Sequence, residues 1–137
     1  MEKIKIKAIV IGCLVDWLSS FAFSMLISLL LGAKAASAGM PDDQVQEFIA
    51  GYFKTQQGFI ISIIFGFSFT ALGGYAAERI AKTGTLINSA FVGSVSIMIG
   101  LIYITSAPII MTVLSLVFSI PAAVLGGFFY TRKFKFF

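Results

Sequence analysis

Four stretches of this chain run almost continuously apolar: 8–31, 58–77, 85–104 and 108–130. A helix needs about 20 mainly apolar residues to cross a bilayer, so each stretch predicts a membrane-spanning helix. Only the first contains a formal charge, Asp16. Helices satisfy their own backbone hydrogen bonds, which lipid cannot do. A β-barrel would need alternation at period two, and these runs do not alternate. The first run spans about 24 residues, too long for a signal-peptide core of about 7–15.

A fifth element follows a different pattern. Pro41 can open a helix, and Asp42 and Asp43 suit its positive N-terminus. Val45, Phe48, Ile49, Tyr52 and Phe53 then recur at i, i+3, i+4, i+7 and i+8. That spacing predicts an amphipathic helix over 41–53, lying at the outer membrane interface. It caps the bundle there, or serves as a lid or partner surface. The expected fold is therefore all-α. It is an integral membrane four-helix bundle forming one domain over 1–137, with a short outer interfacial helix.

Charge gives the orientation. Lys3, Lys5 and Lys7 precede the first span. Arg79 and Lys82 follow the second, and Arg132, Lys133 and Lys135 follow the fourth. These places fall on one side of a four-span chain and hold eight of its ten basic residues. The other side holds Lys34 and Lys54 against Asp42, Asp43 and Glu47. Basic residues stay on the cytoplasmic side, so both termini are expected inside. Arg79, Lys82, Arg132 and Lys133 are expected to anchor at headgroups, with long side chains reaching the interface.

Composition narrows the function. Hydrophobic residues make up 58% of the chain and charged residues 12%. A soluble domain carries about 25% charged residues, so much of this surface is expected to face lipid. The net charge of +4 lies at helix ends rather than in a basic loop interleaved with aromatics, so nucleic acid is not an expected partner. Histidine is absent and Cys13 is the single cysteine. This excludes His-ligated haem or zinc, a His-dependent triad and an internal disulfide. No phosphate loop, nucleophile elbow or paired membrane carboxylates occur, so neither enzyme activity nor a cofactor is expected.

Asp16 is the most informative residue. It lies nine positions after Lys7, about 14 Å along a helix, near the bilayer midplane. A carboxylate there costs roughly 2.5–3.5 kcal/mol on the insertion scale, so it needs a partner, a water-filled cavity or a proton. Gly12, Asp16, Ser20, Ser24, Ser28 and Gly32 follow at steps of four and share one helix face. This stripe could line a hydrated path with Asp16 as its ion or proton site. It could equally be a packing seam in which Asp16 fixes helix pairing. Trp17 is expected to pack beside Asp16.

Similar seams mark the other spans: Ser62, Gly66, Thr70, Gly73, Gly74 and Ala77 on the second, Ser89, Gly93 and Gly100 with Ser96 on the third. On the fourth they are Thr112, Ser115, Ser119, Ala122 and Gly126. Gly12, Gly73, Gly74, Gly93, Gly126 and Gly127 are the expected helix-packing glycines, because small residues let membrane helices approach closely. Asn88 is expected to bond Glu78 or Arg79, or to cap the third span. Pro121 is expected to kink the fourth. The second and fourth spans both end Leu-Gly-Gly-aromatic with an Arg four residues on. The same 53 positions separate the two copies (73 to 126, 79 to 132). Two parallel helical hairpins related by an axis along the membrane normal would produce this echo. Convergence would also produce it, since any inward-running helix profits from a small-residue contact and a final Arg.

Gly73-Gly74-Tyr75-Ala76-Ala77-Glu78-Arg79, followed by Leu86-Ile87-Asn88-Ser89-Ala90-Phe91-Val92-Gly93, resembles a pattern of uncharacterised prokaryotic four-helix membrane proteins. These have a Gly-Gly-Tyr-x-Ala-x-Arg helix end and, like Val15-Asp16 here, an Asp in the first helix. The resemblance covers about a third of the chain. It implies a multi-pass protein of a prokaryotic inner membrane and transfers no catalytic residue. A looser likeness, to small multidrug transporters, rests on four helices and one acid in the first. The other transporter motifs are missing. Two functions remain open. One is association with itself or with another membrane protein, as a self-assembling bundle or accessory subunit. The other is an oligomeric small transporter or channel, with Asp16 as proton or cation site and Ser20, Ser24 and Ser28 along the path.

Overall fold

The computed structural model describes residues 4–102 and 109–134, apart from the side chains of Met111, Lys133 and Phe134. Within them the protein is all-α, with five helices: α1 (Ile6–Ser37), α2 (Asp42–Lys54), α3 (Gln56–Ala81), α4 (Ile87–Ile102) and α5 (Ile109–Phe134). Three of these, α1, α3 and α5, are long and apolar enough to cross a membrane. The shorter α4 is apolar over its 16 residues. The predicted span ends at 104 and 108 lie outside the described residues, as do Lys3 and Lys135.

Helix ends differ from the expected bounds for local reasons. α1 continues past 31 to Ser37, and its 32 residues extend about 48 Å. Lys34, Ala35 and Ala36 interrupt the apolar run but are strong helix formers. Gly39 then stops the helix with φ +72°. Its N–H donates to Ala36 O at 3.0 Å, and that of Met40 to Ala35 O at 3.1 Å, a Schellman closure. α3 begins at Gln56 because Thr55 caps it: the Gly58 N–H donates to Thr55 Oγ1 at 3.1 Å. α5 runs on through Pro121 as one helix.

The chain divides into two compact units, Met1–Leu18 with Phe67–Phe137, and Ser19–Gly66. In the second unit, Phe23 and Phe65 stack with ring centroids 4.2 Å apart. α2 buries no residue fully, but its five expected stripe residues are all half-buried and its other eight are exposed. The amphipathic periodicity is thus realised in space.

In the first unit, contacts fix helix directions. Phe67 meets Phe118 (5.8 Å between centroids) and Tyr75 meets Tyr130 (5.6 Å), so α3 and α5 run the same way. Between these pairs the helices touch backbone to backbone. A Cβ on Gly74 would overlap the Ala123 carbonyl, and one on Gly126 the Ala71 carbonyl. The touching positions are 49 residues apart (Gly74 and Ala123) and 55 apart (Ala71 and Gly126), on either side of the 53 of the sequence echo. α1 and α4 also run together, through Lys5–Asn88, Gly12–Val92 and Asp16–Ser96. α4 opposes α5: Ser89 lies against Gly127, Gly93 against Ile120, and Gly100 against Ser115.

The polarity of this packing is inverted. The largest fully buried side chains are Glu78, Val92, Asn88 and Ser89, three of them polar. The buried apolar residues are mostly alanines, while Leu14, Trp17, Leu72, Val117 and Leu125 are exposed. Small residues inside and bulky ones outside suit helices whose surroundings are apolar.

Candidate functional site

Asp16 sits on α1 and is 8% exposed. Gly12 and Gly73 put it there. A Cβ on Gly12 would stand 2.7 Å from Gly73 O, and one on Gly73 would stand 2.7 Å from Gly12 O and 3.0 Å from Asp16 Cβ. Only residues without a Cβ allow α1 and α3 to meet so closely, and one turn beyond the contact the carboxyl reaches its neighbours.

Those neighbours are hydroxyls from two other helices. Thr70 Oγ1 on α3 donates to the carboxyl from 3.3 Å of either oxygen. Ser96 Oγ on α4 lies 2.6 Å from Oδ2 and 3.1 Å from Val92 O. Ser96 has one proton, and the shorter contact, with Asp16, is the stronger claim on it. Three helices therefore share one carboxyl. Together the groups form an oxygen cluster that can hold a proton or clasp the helices.

The expected polar stripe does not form this cluster. α1 continues from Asp16 into the second unit, where Ser20 and Ser28 are half-buried and Ser24 is exposed. Thr70 and Ser96 stand in the seams read from the sequence. Pairing them with Asp16 needs the register between helices, which single-helix spacing does not contain. Trp17 departs from expectation too. It is 57% exposed, on the outside of α1 rather than packed around the carboxyl.

A second buried acid was read in the sequence only as a partner for Asn88. Glu78 on α3 is fully buried. The Ser89 N–H donates to Glu78 Oε1 at 3.2 Å, and Thr83 Oγ1 donates to Oε2 at 3.4 Å. Ser89 is the third residue of α4, whose first amides have no partner within the helix. Glu78 thus caps α4 from a neighbouring helix by accepting one of its first amides. Asn88 does the same for α1: Oδ1 accepts the Lys5 N–H at 2.8 Å while Nδ2 donates to Thr83 Oγ1 at 3.2 Å. Thr83 Oγ1 thus stands between Asn88 and Glu78, bonded to both. A sequence signal existed, since Ala71, Gly74, Glu78 and Ala81 lie at i, i+3, i+7 and i+10 and place Glu78 on the small-residue face.

The packing glycines lie at crossings: Gly12 and Gly73 between α1 and α3, Gly74 and Gly126 between α3 and α5, Gly93 between α4 and α5. A Cβ on Gly127 would overlap Ser89 Oγ and stand 2.9 Å from Glu78 Cγ. Arg79, Lys82 and Arg132 are exposed, Arg132 over the Phe128 ring at 5.5 Å. The Lys133 side chain lies outside the described residues. Among the described residues no three His, Cys, Asp or Glu side chains group as metal ligands would. No family model, curated protein or solved structure matches the chain.

Proposed function

We propose that the protein is a four-span membrane protein of a prokaryotic inner membrane, with both termini cytoplasmic, that acts by association rather than by catalysis. It is either a self-assembling bundle or the accessory subunit of another membrane protein. The alternating directions of α1, α3, α4 and α5 support the four spans. The resemblance carried by 73–79 and 86–93 supports the location. α2 would lie at the outer interface on its apolar face, and the bilayer is the first partner.

The observation that carries association is a division among the small residues. Gly12, Gly73, Gly74, Gly93, Gly126 and Gly127 are consumed by contacts within the chain. Gly32 on α1 and Gly66 on α3 have open space where a Cβ would stand, and Ser24 is exposed. Small residues are what membrane helices use to approach one another, and Ser24 and Gly32 offer such a surface on α1 to a helix from elsewhere. Native mass spectrometry of the protein released gently from its own membrane tests this. A homo-oligomer or a stoichiometric complex is expected, and Gly32→Leu or Ser24→Leu should dissolve it while the monomer stays folded. A monomer without partners would overturn the reading.

The oxygen cluster favours a second reading, an oligomeric transporter or channel in which Asp16 binds a proton or cation. Proteoliposome flux should then disappear in Asp16→Asn, and flux that survives intact would exclude it.

A further inference from the structure

An apolar groove of about 450 Å³ lies between α1 and α4 on the outside of the first unit. Ile9, Val10, Cys13, Leu14 and Trp17 of α1 form one wall, and Lys5 and Lys7 lie one turn before its first residues. Lys5, Ile9, Cys13 and Trp17 follow at steps of four, and Lys7, Val10, Leu14 and Trp17 at i, i+3, i+7 and i+10. Val95 and Ile99 of α4 form the other wall. Lys5 and Lys7 are exposed. From Lys7 to Trp17 is ten residues, about 15 Å of helix and half of a hydrocarbon core about 30 Å thick. The groove itself is apolar along its length, and with the turn that carries Lys5 and Lys7 it covers about one leaflet.

We propose that this groove seats an acyl chain of an anionic phospholipid, with Lys5 and Lys7 at its phosphate. Charge and length select this occupant. A zwitterionic lipid would fill the groove equally but gain less from two lysines, each of which favours an anionic headgroup about fivefold. The proposal rests on the reading that α1 and α4 lie in a membrane.

Trp17 is the only tryptophan, so all indole emission reports this groove. The full chain is reconstituted in phosphatidylcholine bilayers containing either brominated phosphatidylglycerol or brominated phosphatidylcholine, whose bromines quench indole on contact. Phosphatidylglycerol should quench with a several-fold higher relative affinity. Lys5→Gln with Lys7→Gln should remove that preference. The fold survives this change, because Asn88 holds the Lys5 backbone N–H and not its side chain. Val95→Phe, which fills the opposite wall, should weaken quenching by both lipids. Equal quenching by both headgroups, or a preference that outlasts the lysines, overturns the proposal. Quenching by neither lipid nor aqueous iodide means that protein covers the groove, which also overturns it but leaves the membrane reading standing. Quenching by iodide and by neither lipid would mean that the membrane reading itself has failed.

Discussion

Asp16 and Glu78 are two carboxyls in one apolar chain, and each is kept there by donors from other helices. For Asp16 the donors are side-chain hydroxyls, so the bonds can be removed one at a time. Hydrogen bonds between membrane helices contribute about 0.6 kcal/mol on average and at most about 1.7. Asp16→Ala and Thr70→Val, singly and together, should therefore show a coupling in that range in detergent unfolding titrations. Additive losses would mean that the 3.3 Å contacts contribute nothing. Glu78 accepts a backbone amide, and a neutral acceptor can replace it. Glu78→Gln should cost less stability than Glu78→Ala, which leaves the buried Ser89 N–H without an acceptor at a cost of about 1–3 kcal/mol. The same unfolding titration ranks the two. Equal losses would show that neither bulk nor a single neutral acceptor suffices at this position and that the carboxyl itself is required.

Helix pairing depends on where a Cβ is missing, and the glycines divide accordingly. At the crossing of α3 and α5, Gly74→Ala or Gly126→Ala would drive a methyl into a partner carbonyl that belongs to a rigid helix. Each should destabilise by about 1–3 kcal/mol or more. Gly66→Ala meets open space and removes a helix-interior glycine, so it should be neutral or stabilising by up to about 1 kcal/mol. Unfolding midpoints of the three variants provide the check, and a Gly66→Ala loss equal to the others would break the division. The long apolar helices α1, α3 and α5 were legible in the sequence because apolar length is a property of one helix. α2 was legible because the stripe from Val45 to Phe53 has one period. The pairing of Asp16 with Thr70 and Ser96 was not, because register between helices appears in no single period. Nor were the left-handed turns at Lys82 (φ 52°) and Leu86 (φ 58°), because neither residue is one that prefers positive φ. The close placement of α3 and α4 imposes those turns.

At the scale of the whole molecule, polarity and charge make separate demands. Inverted packing, with Glu78, Asn88 and Ser89 fully buried and leucines outside, calls for an apolar environment and is silent on orientation. Orientation rests on basic residues alone, and the described helices carry much of that signal at their ends. Lys5 and Lys7 stand at the start of α1, Arg79 in the last turn of α3 and Arg132 near the end of α5. Acids dominate the other connection, where Asp42 and Asp43 open α2. Translocating a positive loop against the membrane potential costs about 2.3 kcal/mol per charge per 100 mV, so the turn between α3 and α4 should stay inside. Cysteine labelling decides this in a Cys13→Ser background. Ala38→Cys lies in the turn after α1, and Thr85→Cys lies between α3 and α4; both positions are exposed. In intact spheroplasts a membrane-impermeant maleimide should modify Ala38→Cys and leave Thr85→Cys unreacted until the membrane is opened. The reverse pattern would invert the protein and place its lysines outside. Labelling of both in intact cells would mean that α3 does not cross, and the four-span reading would fall with it.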